Sequence, residues 1–182
     1  RRQETQQVTL HRTRRITHPS TPSKPYEEQT IDTLYLPPNG RYEAVVLLID
    51  TFTKFMWALP LAGKGTPKSS QVAKALKSLW LREGPPLALR SDGGSEFGKH
   101  VDTLCKSFGV NHKVCRAHYS QCNGGAERAI QTLKRAVSKY TYDQATSHWL
   151  PALDDLVFAY NATRHSTTGF PPFLLQRGTD PA

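Results

Sequence analysis

Three carboxylates in the sequence have settings that an ordinary surface charge does not need. Asp32 lies inside an apolar strand pattern, Asp92 closes a second one and is followed by two glycines, and Glu127 opens a helical pattern after a glycine pair. The carboxyl ends of strands are where α/β sheets bind ligands, and glycines let a large substrate approach the backbone. Clustered carboxylates need a cation or raised pKa values to offset their repulsion, and oxygen-only ligands favour Mg²⁺ or Mn²⁺. The three residues therefore point to metal-dependent phosphoryl transfer.

Each carboxylate also has a simpler interpretation when it is taken alone. Asp32 fits an edge strand, Asp92 fits a turn, and Glu127 fits the first turn of a helix, where it would interact with the helix dipole. Only their joint position in a fold distinguishes a site from three separate surface charges.

The elements that must position these residues follow from the hydrophobic periodicity. Apolar runs predict strands at 30–36, 42–49, 54–61, 87–91 and 110–115, and helical spacing predicts helices at 67–83, 101–108, 126–140 and 149–162. The first three strands are close enough in sequence for an antiparallel meander, whereas the later strands follow helical crossovers and should be parallel. The fold class is therefore α/β, with a five-stranded mixed sheet flanked by helices.

The charge is distributed unevenly along the chain. The 182 residues carry a net charge of +9, and residues 1–25 hold six basic residues against one acidic residue, which is +5. Proline, threonine and glutamine dominate this segment, which predicts a basic flexible arm at 1–25, a folded core at 26–166 and a Gly- and Pro-rich C-terminal extension at 167–182. The arm either contacts phosphates or a neighbouring chain, or is a solvated tail. The basic excess suggests nucleic acid as the partner.

Composition also excludes several classes of protein. The longest apolar run, Ala44 to Ile49, is six residues against the ~20 that a membrane helix needs, so no membrane partner is expected. Three cysteines form no Cys-x-x-Cys pair, which argues against a disulfide framework. His112, Cys115 and His118 do not have the spacing of a tetrahedral zinc site.

Four segments, in order, resemble the integrases of retroviruses and LTR retrotransposons, and gypsy-type elements most of all. Residues 42–60, which include IDTFTK, resemble the strand pair around V-D-R-F-S-K. Residues 91–97, SDGGSEF, resemble D-N-G-x-x-F. Residues 118–128, HYSQCNGGAER, resemble P-Y-x-P-Q-x-N-G-x-x-E-R, and residues 159–173 resemble Y-N-x-x-x-H-S-x-T-G-x-x-P-F. The resemblance covers about residues 28–178.

The resemblance implies an RNase H-like fold with a D,D,E active site. Asp32, Asp92 and Glu127 match the three acidic positions, as catalytic residues and as ligands of two Mg²⁺ or Mn²⁺ ions, with Asp32 bridging both. The implied reactions are 3′-end processing and strand transfer of element DNA into target DNA. Asp50 also ends a strand and competes for the first position, but the family has a turn aspartate there. Gly93 replaces the usual Asn, and the loop is one residue shorter than in the family.

The resemblance also implies DNA contacts by the loop before Glu127 and by the helix that it opens. On that helix Gln131, Lys134 and Arg135 share the face of Glu127, while Ile130 and Leu133 belong to the opposite stripe. Packing within the loop and an ordinary solvated helix face are the alternatives. The candidate DNA-binding residues are Tyr119, Gln121, Asn123, Arg128, Gln131, Lys134 and Arg135.

Integrases act on element-end DNA and target DNA as homo-oligomers, so a dimer or higher assembly is expected. A nuclear location after a particle-associated stage in the cytoplasm is expected as well. The usual His/Cys zinc module and a C-terminal DNA-binding domain are absent from this stretch, as in an isolated catalytic core. Two other functions fit the same motifs: a domesticated, non-catalytic domain that binds DNA or protein, and a nuclease on the same fold.

Overall fold

A mixed sheet organises the protein, whose computed structural model describes residues 22–115 and 124–181. In these ranges the strands are β1 (Glu28–Asn39), β2 (Tyr42–Asp50), β3 (Met56–Ala62), β4 (Ala88–Ser91) and β5 (Asn111–Val114). The helices are α1 (Ser69–Glu83), α2 (Lys99–Phe108), α3 (Gly124–Asp143), α4 (Leu153–Ala162) and α5 (Pro172–Arg177). None of the helices in these ranges is long and apolar enough to cross a membrane.

The strand order is β3-β2-β1-β4-β5. β1 pairs with β2, and β2 with β3, in antiparallel fashion, whereas β4 lies parallel to β1, and β5 parallel to β4. The β1–β2 hairpin closes from the pair Asn39 and Tyr42, and Gly40 at its tip has φ +60°, a conformation that glycine adopts without strain. The predicted meander with parallel strands added through helical crossovers is confirmed.

The alternation of side chains along β2 builds a core on each face of the sheet. Val46 and Leu48 pack beneath α1 and α2, whereas Val45 and Leu47 pack beneath α3 and α4. Burial on both faces explains why β2 is a continuous apolar run without alternation of polar residues. The sheet therefore has two covered faces, and its edges and strand ends carry the polar groups.

Two buried polar groups tie the elements together. Glu28 in β1 is 4% exposed and pairs with Arg90 of β4 at 2.8 Å and with Lys113 of β5 at 2.9 Å. Asn161 of α4 accepts a hydrogen bond from the Met56 N–H at 2.8 Å and donates one to the Met56 carbonyl at 2.9 Å. The first group fixes β4 against β1, and the second fixes α4 on the outer strand β3.

Several element boundaries differ from the sequence predictions. β1 extends beyond the predicted 30–36 at both ends, because its pairing with β2 continues from Gln29 to Asn39. The helix predicted at 149–162 begins as a 3₁₀ turn, Leu150–Ala152, and becomes α-helical only at Leu153. Pro151 lies in that turn, where its missing N–H removes no helical hydrogen bond.

Helix α5 was not predicted from the sequence and lies within the predicted extension 167–182. Gln176 is 9% exposed, and its Oε1 accepts a hydrogen bond from the Thr53 hydroxyl at 2.6 Å. Arg177 pairs with Glu83 of α1 at 2.5 Å. The helix has only six residues, so it is stable through these tertiary contacts rather than through its own propensity.

Candidate active site

Asp32 lies on the face of β1 that α3 covers. Ile31 of the same strand belongs to the core beneath α1, and Leu34 belongs to the core beneath α3, so the two-residue period places Asp32 on the α3 side. Its side chain is partly buried, and its Oδ1 accepts a hydrogen bond from the Thr33 N–H at 2.7 Å.

Asp92 follows the last residue of β4 and sits in a tight turn. Its Oδ1 accepts a hydrogen bond from the Gly94 N–H at 2.9 Å, and the residue is exposed. A Cβ on Gly94 would lie 3.0 Å from that same Oδ1 and 2.6 Å from Oε2 of Glu96, so a side chain at this position would displace the Glu96 carboxylate. The glycine predicted to admit a substrate thus also serves to pack two acidic side chains closely.

Glu127 stands in the first turn of α3 and is exposed. The pKa of Asp32 is raised, chiefly because burial disfavours its charged form; the N–H of Thr33 opposes the shift, and the charges of Asp92, Glu96 and Glu127 add to it. The three carboxylates singled out by the sequence therefore act on one another electrostatically. They belong to one region of the fold rather than to three unrelated surface positions.

Glu96 is the acidic residue that the sequence analysis did not single out. It lies in the 3₁₀ turn Ser95–Phe97, is partly buried, and accepts a hydrogen bond from the Thr33 hydroxyl at 3.4 Å. Its position four residues after Asp92, within the segment SDGGSEF, was the signal that could have identified it.

The donor set suits a hard divalent cation. A partly buried aspartate surrounded by three further acidic charges has an unfavourable electrostatic energy, which a cation would offset, and its oxygen-only ligands favour Mg²⁺ or Mn²⁺. Within residues 22–115 and 124–181, however, no three His, Cys, Asp or Glu side chains are arranged closely enough to hold a metal ion. The carboxylates thus interact through their charges without forming a closed ligand set.

Asp50, the competitor for the first acidic position, has a different environment. It is 0% exposed, and its carboxylate accepts hydrogen bonds from the backbone N–H groups of Tyr26 at 2.8 Å, Phe52 at 3.0 Å and Thr53 at 2.8 Å. These bonds organise the β2–β3 turn and leave the carboxylate no access to solvent. The geometry favours Asp32 over Asp50 as the residue at the acidic cluster.

A hydrogen-bond chain missed in the sequence runs behind Asp92. The Ser91 hydroxyl donates to the Asp92 carbonyl oxygen at 2.9 Å and lies 2.9 Å from Nε2 of His112. Nδ1 of His112 contacts the carboxylate of Asp102 on α2. Both ring nitrogens of His112, which sequence analysis considered only as a zinc ligand, are therefore engaged in bracing β4 and α2.

The candidate DNA-binding residues divide into two groups. On α3, Arg128, Gln131, Lys134 and Arg135 are all exposed, while Leu133 and Val137 are buried, so the two predicted faces of this helix are confirmed. Whether that exposed face contacts DNA stays a prediction. Tyr119, Gln121 and Asn123 lie outside the described residues, as does most of the basic arm predicted at 1–25.

Comparison with known proteins identifies the class. Residues 22–120 match the family model of the integrase core domain, and the chain belongs to that family. It is 30% identical over 168 residues to the retrovirus-related Pol polyprotein from transposon 412 of Drosophila melanogaster, covering 90% of this chain and 13% of the polyprotein. It is 27% identical over 144 residues to gypsy retrotransposon integrase-like protein 1 of Homo sapiens, covering 79% of this chain and 27% of that protein. The chain thus spans only a small part of these relatives.

Solved structures place the fold in the same class. The magnesium complex of the HTLV-2 integrase catalytic core domain, in its trimeric form, aligns with a TM-score of 0.69 at 18% identity, covering 85% of this chain and 99% of that one. A chain of the simian T-cell lymphotropic virus intasome in complex with PP2A regulatory subunit B56 gamma aligns with a TM-score of 0.75 at 18% identity, covering 87% and 57%. The fold is therefore RNase H-like, as the motifs implied.

Proposed function

We propose that this chain is the catalytic core of a DNA integrase that performs 3′-end processing and strand transfer, with Asp32, Asp92 and Glu127 as its catalytic carboxylates. The observation that carries the proposal is the shared location of the acidic residues: Glu96 accepts a hydrogen bond from the Thr33 hydroxyl next to Asp32, and Gly94 lies between the carboxylates of Asp92 and Glu96. The raised pKa of Asp32, due first to burial and then to the charges of Asp92, Glu96 and Glu127, supports the same proposal.

The chemistry of the carboxylate donors suits divalent cations, and we propose two such ions. Asp32, Asp92 and Glu127 would hold Mg²⁺ or Mn²⁺, which when bound supplies Lewis-acid stabilisation of the phosphodiester undergoing displacement. Every ligand in this set is a carboxylate oxygen, in keeping with the preference of both ions.

Backbone N–H groups of the protein orient the proposed catalytic carboxylates. The Thr33 N–H donates to Oδ1 of Asp32 and the Gly94 N–H donates to Oδ1 of Asp92, so a backbone group restrains each carboxylate. The nucleophile is water when a 3′ end is trimmed, and the freed 3′ hydroxyl when that end is joined to target DNA. No side chain is bonded to DNA during either step, and the Ser91 hydroxyl is buried and already donates to a carbonyl.

A strand-joining assay on the intact protein that contains this core tests the proposal. A labelled duplex with Mg²⁺ or Mn²⁺ should yield joined products, and Glu127→Gln should reduce them by roughly 10³-fold, since metal-assisted charge stabilisation contributes several kcal/mol. Lys77→Gln, on the exposed face of α1 across the sheet, is the matched control. Retention of full joining by Glu127→Gln would refute the assignment. A protein that binds DNA but joins none, with or without the substitution, would instead be a domesticated binding module.

The same proposal includes self-association and a nuclear site of action. The related HTLV-2 core was solved in dimeric and trimeric forms. In this chain Phe158 of α4 is 51% exposed beside the groove formed by β3, α1 and α4, and an apolar side chain at such a place favours burial against a second copy. Light scattering should give a mass above that of one chain, and Phe158→Asp should lower it. An unchanged mass would remove this surface from the interface.

A further inference from the structure

A cavity of about 520 Å³ lies between α3 and α4. Its wall begins at Arg128, the residue after Glu127, and its floor is apolar, with Ala129, Leu133 and Leu156. Cavities of roughly 300–1,000 Å³ are the usual size for small-ligand sites. The proposed joining reaction gives this space no role.

The rim of the cavity is basic. Arg128, Arg164 and His165 line it, and among the residues that the structure describes neither arginine forms a salt bridge. The pKa of His165 is lowered, first by burial and then by the charges of Lys54 and Arg128. Burial and, more weakly, the charge of Arg128 also lower the pKa of Lys54, while Asp50 acts in the opposite direction. Positive groups that disfavour one another in this way would be stabilised by an anion.

Two neutral donors supplement these charges. Nδ1 of His165 accepts a hydrogen bond from the Thr167 N–H at 3.3 Å, so the neutral ring carries its hydrogen on Nε2, which can donate. The Tyr160 hydroxyl at the same wall is buried and has no hydrogen-bond partner among the described residues. An unpaired buried hydroxyl is unfavourable by about 1–3 kcal/mol, which a polar ligand atom would recover.

We propose that this α3–α4 cavity binds one unpaired nucleotide of a DNA strand, with the base against the apolar floor and the phosphate at Arg128 and Arg164. A phosphate alone would not need the apolar floor, and an apolar ligand would not need the basic rim. A base within a duplex is stacked on both faces and cannot enter a concave site, so the nucleotide must be unpaired. The proposal rests on the proposed function only for the identity of the ligand as DNA.

Fluorescence anisotropy in EDTA tests this site without any contribution from metal or catalysis. The full chain is titrated onto a labelled 12-nucleotide single strand and onto a blunt duplex that contains the same strand. Arg164→Glu should weaken single-strand binding about tenfold or more, because it reverses a charge that contacts phosphate, and should change duplex binding far less. Tyr160→Phe should weaken single-strand binding about threefold while leaving the melting temperature unchanged or slightly raised.

Lys77→Glu is the matched control, because it makes the same charge reversal on an exposed helix position of the other layer. Equal losses for Arg164→Glu and Lys77→Glu, or equal losses on single strand and duplex, would contradict the proposal and indicate only a general basic surface. Competition by inorganic phosphate as effective as that by thymidine monophosphate would also contradict it, since the apolar floor would then contribute nothing. Because the binding assay contains no metal, a negative result in it does not contradict the proposed joining reaction. In the same way, a negative joining assay does not contradict a positive binding result.

The hydrogen-bond chain behind Asp92 carries a second, independent inference that also rests on the proposed function. The Ser91 hydroxyl lies 2.9 Å from both the Asp92 carbonyl oxygen and Nε2 of His112, so it links the ring to the backbone of Asp92. The ring side chain is 6% exposed and is held from the other side by Asp102. We infer that His112 is a positioning residue, which fixes the backbone of Asp92 and through it the direction of the carboxylate.

Substitution of His112 separates positioning from simple structural support. His112→Phe should lower kcat for joining about 10–100-fold, as loss of an outer partner of a ligating group does, with little change in the KM for DNA. Mn²⁺ affinity, followed by electron paramagnetic resonance without DNA, should weaken in parallel. His112→Gln, which can still form a hydrogen bond with Ser91, should recover much of both values.

Two outcomes would overturn the second inference. A lower melting temperature in His112→Phe with unchanged Mn²⁺ affinity and kcat would assign His112 to stability alone. Equal defects in the Phe and Gln variants would show that the hydrogen bond with Ser91 is not the relevant contact. Asp102→Asn, which keeps a polar contact to the ring on an exposed side chain, provides the test should His112→Phe fail to fold.

Discussion

Two aspartates on the paired strands β1 and β2 show how the same side chain serves architecture in one place and chemistry in another. Asp50 is wholly buried, and three backbone N–H groups satisfy its carboxylate. Asp32 is only partly buried, receives one hydrogen bond from Thr33, and is crowded by three other acidic charges. A carboxylate with all its partners inside the protein has nothing left to offer a ligand, whereas one short of partners does.

The difference has a physical basis in what surrounds each strand end. Asp50 ends β2 at the turn into β3, where the N–H groups of Phe52 and Thr53 donate to its carboxylate, and Tyr26 adds a third donor from the segment before β1. Asp32 sits mid-strand beside the end of β4, and the backbone N–H groups there are used in the sheet. Among the residues that the structure describes, Asp32 therefore has fewer hydrogen-bond donors than Asp50.

The largest effect should come from exchanging the two aspartates for asparagine in a joining or disintegration assay. Asp32→Asn should lose roughly 10³-fold in activity while remaining folded, since it removes the carboxylate that we propose as a metal ligand. Asp50→Asn should keep most of its activity at temperatures where it is folded. The reverse pattern, with Asp50 indispensable and Asp32 replaceable in well-folded proteins, would invert the comparison.

The free energy of unfolding should depend more on Asp50 than on Asp32, which is the opposite of the order expected for activity. Asp50→Ala leaves the backbone N–H groups of Tyr26, Phe52 and Thr53 without their acceptor, the last of them buried, and should lower the free energy of unfolding by roughly 3 kcal/mol. Chemical denaturation followed by circular dichroism measures this loss. Asp32→Ala serves as the matched substitution on the neighbouring strand, and a loss there as large as that of Asp50→Ala would remove the distinction.

Asn161 extends the comparison to a neutral side chain with all its partners inside the protein. Asn161→Ala removes both hydrogen bonds to Met56 and should lower the free energy of unfolding by about 2 kcal/mol. Thermal unfolding should show the lower stability. Thr163→Ala, on an exposed position just after the same helix, should have a smaller effect, and equal losses would mean that the clamp on β3 is unimportant.

The smallest expected effect is a gain in thermal stability when Asp32 is replaced by asparagine. Because the pKa of Asp32 is raised in the folded protein, the folded state binds the proton more tightly than the unfolded state. The stability associated with this group is therefore present at acidic pH and is lost as the pH rises through the raised pKa. Asp32→Asn should increase the melting temperature by a few degrees at neutral pH without metal, and the difference should vanish toward pH 4. If the difference in melting temperature between Asp32→Asn and the unsubstituted protein stayed the same from neutral pH to pH 4, the raised pKa of Asp32 would not limit stability.

Much of the fold was predictable from local pattern. The apolar run in β2, the helical stripe of Leu133 and Val137 on α3, and the antiparallel meander followed by parallel strands were predictable from periodicity and from the length of the connections. The short helix α5 was not predictable, because its six residues have little helical stability alone and depend on contacts with Thr53 and Glu83.

The candidate site, like the fold, contains some residues that the sequence identified and others that it did not. The sequence identified three acidic residues because each lies within or next to a predicted strand or helix, at a position where the secondary structure does not require an acidic side chain. These residues are Asp32, Asp92 and Glu127. Glu96 and the pair His112 and Asp102 were not identified, because their contacts join segments 10–63 residues apart and leave no periodic trace. The assignment of Asp32 rather than Asp50 likewise needed burial and hydrogen bonds, which motif order suggested but could not demonstrate.

The sequence by itself determined the family, the layered α/β architecture and the three acidic candidates, because side-chain period, motif order and connection length are properties of the chain. Only the tertiary structure decided which aspartate is satisfied and which is not, that Glu96 adds a fourth acidic charge, and that α3 and α4 enclose a basic-rimmed cavity. Burial and electrostatic potential at a point are sums over neighbours brought together from distant parts of the chain. Burial and electrostatic potential are therefore defined only once the fold has brought those neighbours together.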